Sequence, residues 1–112
     1  MNDELLNISL DLAMEWGENW LKPIHSRLKK LYPNLSLSER NSYNKIAQES
    51  MKFGHSLAKD YIKVYYNHPN KTIAVENDLK SNFESKMKIK YPWINDSNLS
   101  RVFSQGCYYA MK

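Results

Sequence analysis

Two stretches of the chain repeat one pattern, and that pattern limits the fold more than any other feature. KKLYPNLS runs from Lys29 to Ser36, and KIKYPWIN from Lys88 to Asn95. Each has basic residues, then Tyr-Pro, then one variable residue, then Leu or Ile, then a small polar residue. Proline disfavours helical backbone at the residue before it, so a helix arriving from the N-terminal side ends at the tyrosine. The small polar residue can cap the next helix, and the aliphatic residue before it stands at the staple position. Each copy therefore reads as helix, corner, helix. The expected fold is all-α: two αα hairpins packed in a bundle-like single domain over 1–112.

Hydrophobic periodicity sets the expected elements at about 3–32, 36–66, 72–90 and 96–111. In the first, Leu5, Leu12, Ala13, Trp16, Trp20, Ile24, Leu28 and Leu31 fall on one helical face. Pro23 removes a hydrogen bond there and clashes with the carbonyl of Asn19. Because the apolar face stays in register across it, one helix kinked or broken at Pro23 is expected. Gly17 weakens the same region.

Ser36-Leu37-Ser38-Glu39 fits a capping box and opens the second element. Tyr43, Ala47, Ser50, Gly54, Ala58, Tyr61 and Tyr65 then trace a near-heptad seam. Its centre is small. Gly54 costs roughly 1 kcal/mol against Ala in a helix, and a close helix crossing would justify it. The seam can face its own bundle or a second subunit. Residues 67–71, Asn-His-Pro-Asn-Lys, form a turn by composition. Thr72 can cap a helix carrying Val75, Leu79, Phe83 and Met87 in one stripe. The alternative is a β-hairpin pairing 64–66 with 72–75, whose residues favour strands; the four-residue rhythm favours the helix. Asn95 or Asp96 caps the last element, with Leu99, Val102, Phe103, Gly106 and Ala110 as its buried stripe.

The net charge of +4 is unevenly spread. Asp3, Glu4, Asp11, Glu15 and Glu18 precede any base. Lysines then gather at Lys29 and Lys30, and again at Lys86, Lys88 and Lys90. A basic cluster can bind nucleic acid, but both clusters lie at expected helix C-termini, where cations offset the macrodipole. The single cysteine, Cys107, cannot form an internal disulfide, which suits a reducing compartment. With no signal-like N-terminus and no run near the roughly 18 apolar residues that span a bilayer, a cytoplasmic protein without membrane association is expected.

Chemistry-bearing residues are sparse. His25, His55, His68 and Cys107 show no metal-ligand spacing, so no metal or cofactor site is expected. His55 and Cys107 could meet across a bundle, with Asp60 or Glu49 as a third member, as a Cys-His arrangement; nothing else in the sequence points to catalysis. No phosphate-binding glycine loop or nucleophile elbow occurs. What remains is binding. Tyr, Trp and Met are favoured at interface centres, and Tyr91, Trp93, Arg101 and Tyr108, at the second corner and on the last helix, form the expected protein-binding face. The function expected is non-catalytic, most concretely that of a toxin-neutralising immunity or inhibitor protein acting by occlusion. The alternative is nucleic-acid binding through Lys29, Lys30, Lys86, Lys88 and Lys90 beside the Tyr-Pro corners.

Overall fold

Asn2 starts the first helix. Its side-chain oxygen accepts the amide of Leu5 at 3.0 Å, and Asp3 and Glu4 place negative charge in the first turn. In the computed structural model, which describes residues 1–112, five α-helices follow one another without a strand. They are α1 (Asp3–Ala13), α2 (His25–Leu31), α3 (Leu37–Asn67), α4 (Ile73–Lys90) and α5 (Asp96–Met111), with a 3₁₀ turn at Gly17–Asn19. The hairpin alternative at 64–75 is replaced by helix on both sides of the turn.

The first element departs from expectation. Of the kink or break expected at Pro23 it shows a break into two helices, but the break opens at Met14, well before the proline. Three backbone features hold the break open. Gly17 has φ +85°, Leu21 has φ +65°, and Pro23 bars helix at Lys22. Arg27 then braces the break from α2. Its guanidinium donates to the Leu12 carbonyl at 2.7 Å, to the Lys22 carbonyl at 3.3 Å and to that of Pro23 at 3.4 Å, and it pairs with the Glu15 carboxylate. The Leu12 carbonyl at the end of α1 also accepts the Glu15 amide at 3.3 Å, so Arg27 adds a second bond there. The apolar register changes with the break. Leu6, Leu10 and Ala13 are buried, whereas Trp16 and Leu31 are exposed.

The chain divides within α3 into two compact units, Met1–Met51 and Lys52–Lys112. The first holds α1, α2 and the start of α3 around Leu10, Met14, Ile24, Leu28, Ala47 and Met51, all almost fully buried. Two polar ties fix its chain ends and loop: the Asn2 amide donates to Tyr43 Oη at 3.2 Å, and the Ile24 amide donates to Asn44 Oδ1 at 3.0 Å.

The second unit packs the rest of α3 with α4 and α5. The small residues of the α3 seam meet α5 within this unit. A Cβ built on Gly54 would overlap Val102 Cγ1, and one on Gly106 would stand 2.6 Å from Ala58 Cβ and 3.0 Å from the His55 Cα. Glycine at both positions lets two helix backbones approach to a distance that no side chain permits. Phe103 joins all three helices, with Tyr61 and Phe83 edge-on to it at 4.9 Å each.

Both Tyr-Pro corners have the same backbone. Tyr32 has φ −133° and ψ 75°, and Tyr91 has φ −127° and ψ 72°. Each tyrosine amide donates to the carbonyl four residues back, Leu28 at 2.8 Å and Met87 at 2.7 Å. Each tyrosine carbonyl accepts from the aliphatic residue three ahead, Leu35 at 3.2 Å and Ile94 at 3.0 Å. Ser36 and Glu39 form the reciprocal capping box, at 2.9 and 3.1 Å, while Asn95 Oδ1 accepts the Asn98 amide at 2.8 Å.

Candidate functional site

The second corner supplies half of the expected binding face. Tyr91 is buried, packed edge-on against Phe53 at 5.7 Å and against Trp93 at 5.9 Å. The Lys90 ammonium sits 4.2 Å from the centre of the Phe53 ring, a cation–π distance. Tyr91 therefore acts from below, holding the half-buried Trp93, and offers little surface itself.

The other half lies on α5. Arg101 and Tyr108 are seven residues apart, two helical turns, and so share a face. Tyr108 is 54% exposed, with its ring 5.5 Å from Tyr109 and the Lys112 ammonium 5.8 Å away. From the Asn95 cap to Tyr108 is about 20 Å of helix axis at 1.5 Å per residue. The four residues are thus strung along one helix and its entry corner. The opposite side of α5 is fixed by Val102 and Gly106 against α3. Two buried polar residues, Asn98 and Gln105, also face inward; their polar character hid them from a reading based on apolar stripes.

The lysines of the alternative reading have different surroundings. Lys88 pairs with Asp96 at 3.2 Å, Lys90 lies over Phe53, and Lys86 borders a cavity of about 110 Å³ between α3 and α4, floored by Leu57, Leu79 and Phe83. Lys29 and Lys30 are exposed in the last turn of α2, beside Tyr32.

His55 and Cys107 face different neighbours. His55 Nε2 is 2.9 Å from Gln105 Oε1, and its ring is 5.9 Å from Tyr109. Burial lowers its pKa, against the smaller opposing effect of the Gln105 bond. Cys107 is two residues from Gln105, about 200° around α5. Its thiol pKa is raised by burial and lowered less by Lys80. A raised thiol pKa leaves less of the nucleophilic thiolate. His68 closes the α3–α4 turn, where its Nδ1 accepts the Asn70 amide at 3.0 Å. No group of three or more His, Cys, Asp or Glu side chains gathers where a metal ion could be held. No helix is long and apolar enough to cross a membrane.

One surface escaped the sequence reading. Trp16 and Trp20, assigned there to a helical core face, stack on each other at 5.4 Å and 23° in the loop between α1 and α2. Trp16 is 50% exposed and Leu21 63% exposed. Gly17, between Trp16 and Glu18, was the available signal that the helix ends there. No family model matches the chain, and no curated protein or solved structure matches it.

Proposed function

We propose that the protein binds another protein without catalysing a reaction. Its binding face is the second Tyr-Pro corner and the outward side of α5, with Trp93, Arg101 and Tyr108 in contact and Tyr91 supporting Trp93. The observation that carries this reading is the rigidity behind an exposed aromatic: Tyr108 is more than half exposed, while the glycine crossing locks the other side of its helix. A side chain presented from a fixed frame loses less entropy on binding than one on a loose segment. The most concrete form is a toxin-neutralising immunity protein. The helical face would cover a partner's active site, with aromatic anchors at the centre and rim charges setting the encounter rate.

Affinity capture of the tagged full chain from its native lysate, run with and without nuclease, tests this. A discrete protein that survives nuclease and is lost with Tyr108→Ala supports the reading. Trp93→Ala separates anchor from lid: unchanged partner affinity with a collapsed melting temperature makes Trp93 a structural lid and removes it from the face.

A second reading, nucleic-acid binding, draws on exposed Lys29 and Lys30 beside Tyr32. Its affinity would fall steeply and linearly with salt on logarithmic axes. An aromatic-centred protein interface would respond much less. High ultraviolet absorbance at nucleic-acid wavelengths in the captured material, lost on nuclease treatment, would favour this reading over the first.

A further inference from the structure

We propose that the cavity between α3 and α4 binds a small neutral ring compound bearing one hydroxyl, a phenol. The cavity lies wholly within the second unit and shares no residue with the α5 face, so the proposal holds whether or not that face has a partner.

The cavity sits where the packing of α4 runs out. Val75, Leu79, Phe83 and Met87 make one apolar stripe, yet only Phe83 and Met87 are buried. Leu79 is half-buried, and a space of about 110 Å³ opens between Leu79 and Phe83 of α4 and Leu57, Tyr61 and Val64 of α3. A gap of this kind costs its lining the dispersion contacts of a close-packed core, and an apolar ligand restores them. The walls are fixed. Phe103 stands edge-on to both Tyr61 and Phe83 at 4.9 Å, and Tyr65 stacks on Tyr61 at 6.1 Å. A site held ready in this way loses less entropy when a ligand enters.

Size and hydrogen bonding select the occupant. A closed apolar cavity of about 150 Å³ holds benzene. This one is smaller but open at its rim, where Val64 is 48% exposed, so it takes one ring with the substituent pointing outward. The rim carries Asp60, Asn82 and Lys86, all exposed and none engaged in a hydrogen bond or ion pair. An ionised Asp60 only accepts, Lys86 only donates, and Asn82 does both. A hydroxyl donates and accepts, so it answers both charged groups at once. An amine suited to Asp60 meets the Lys86 ammonium at the same rim, and a carboxylate suited to Lys86 meets Asp60. The choice rests on this pairing of donor and acceptor and not on net charge, since Lys59 and Lys63 flank Asp60 along α3 and Lys63 shares a neighbouring groove with it.

The test is NMR on the full chain with isotope-labelled methyl groups, so that Leu57, Val64 and Leu79 report from the cavity. The probes are p-cresol, toluene, benzylamine and benzoate, which share one ring and differ in its polar group. p-Cresol should shift the three cavity residues' methyl signals together and saturably. The other three should bind about tenfold more weakly, the scale of one hydrogen bond to a charged group. Asp60→Ala and Lys86→Met should each weaken p-cresol by about the same factor and leave the melting temperature unchanged, because both side chains are exposed. Leu79→Phe should fill the space, keep or raise the melting temperature and abolish the p-cresol shifts; should it unfold the chain, the two rim variants still decide. Toluene, benzylamine or benzoate binding as tightly as p-cresol, shifts that fail to saturate or fall instead on Leu10 and Leu28 of the first unit, or unchanged affinity in both rim variants would each overturn the proposal.

Discussion

The two Tyr-Pro corners share dihedral angles to within a few degrees and the same pair of backbone hydrogen bonds, yet they are lined differently. At the first, Tyr32 is half-buried and the residue four past the cap is Arg40, so Leu35 lacks an apolar staple partner there. At the second, Tyr91, Ile94 and Leu99 are all buried. Backbone shape here follows from local chemistry: proline ends one helix and a side-chain oxygen caps the next. Burial depends on what the neighbouring helices supply. The second corner opens onto the tight α3–α5 crossing of its unit; the first follows a seven-residue helix, α2, with one fully buried residue, Leu28. One motif thus makes two joints of unequal worth.

The largest expected difference is between Ile94→Ala and Leu35→Ala. Ile94 is buried, and truncating a buried isoleucine costs about 2–5 kcal/mol. Leu35 is half-buried, so its truncation should cost less than half as much. Urea unfolding of both variants measures this directly. Equal losses would mean that the first corner is as deeply anchored as the second. Next comes Gly106→Ala. In an exposed helix this change gains roughly 1 kcal/mol. Here the new methyl meets Ala58 Cβ at 2.6 Å and the His55 backbone at 3.0 Å, so a loss of about 1–3 kcal/mol is expected. Gly54→Ala should be milder when combined with Val102→Ala, since its obstacle is a side chain that can be trimmed. A gain in stability for Gly106→Ala would remove the close crossing that distinguishes the second unit.

Much of this was legible in sequence because it is local. The capping box at Ser36, the Asn95 cap and the staple pair Ile94 and Leu99 depend on residues a few positions apart. The small-residue seam was also legible, because Gly54 in mid-helix has a cost that only close packing offsets. Two things were not. The break after Ala13 was hidden because Trp16, Trp20 and Ile24 continue the apolar register, and periodicity cannot see that Arg27 will bond carbonyls at the end of α1 and in the loop that follows. The division of labour on the expected face was hidden as well. Tyr91, Trp93, Arg101 and Tyr108 look alike in sequence as large interface-prone residues, whereas burial separates Tyr91 as support from Tyr108 as surface. The local mechanism shared by both corners predicts that Ser36→Ala and Asn95→Ala cost about the same, near 1 kcal/mol each. A much larger loss at Asn95 would show that the cap, and not only the lining, differs.

The smallest effect is the one that acid should draw out. Glu39 has its pKa lowered, first by the Ser36 amide that donates to its carboxylate and second by the Ser36 hydroxyl. A carboxylate depressed in the folded state adds stability above its ordinary value of 4.5, lost as the pH falls through the lowered value. Asn95, the cap of the second corner, does not titrate. His55, in the second unit, acts over a different window. Burial lowers its pKa below 6.5, so the unfolded chain takes up the proton first, and stability falls as the pH drops below about that value. Urea midpoints between about pH 2 and pH 8 therefore separate the two units. His55→Gln should flatten the slope just below neutrality and leave the acid limb, whereas Glu39→Gln, which keeps the capping geometry, should flatten only the acid limb. If Glu39→Gln changed the slope near neutrality, the exposed cap and the buried histidine would be energetically joined, and the contrast between a locally held corner and a packed one would have to be redrawn.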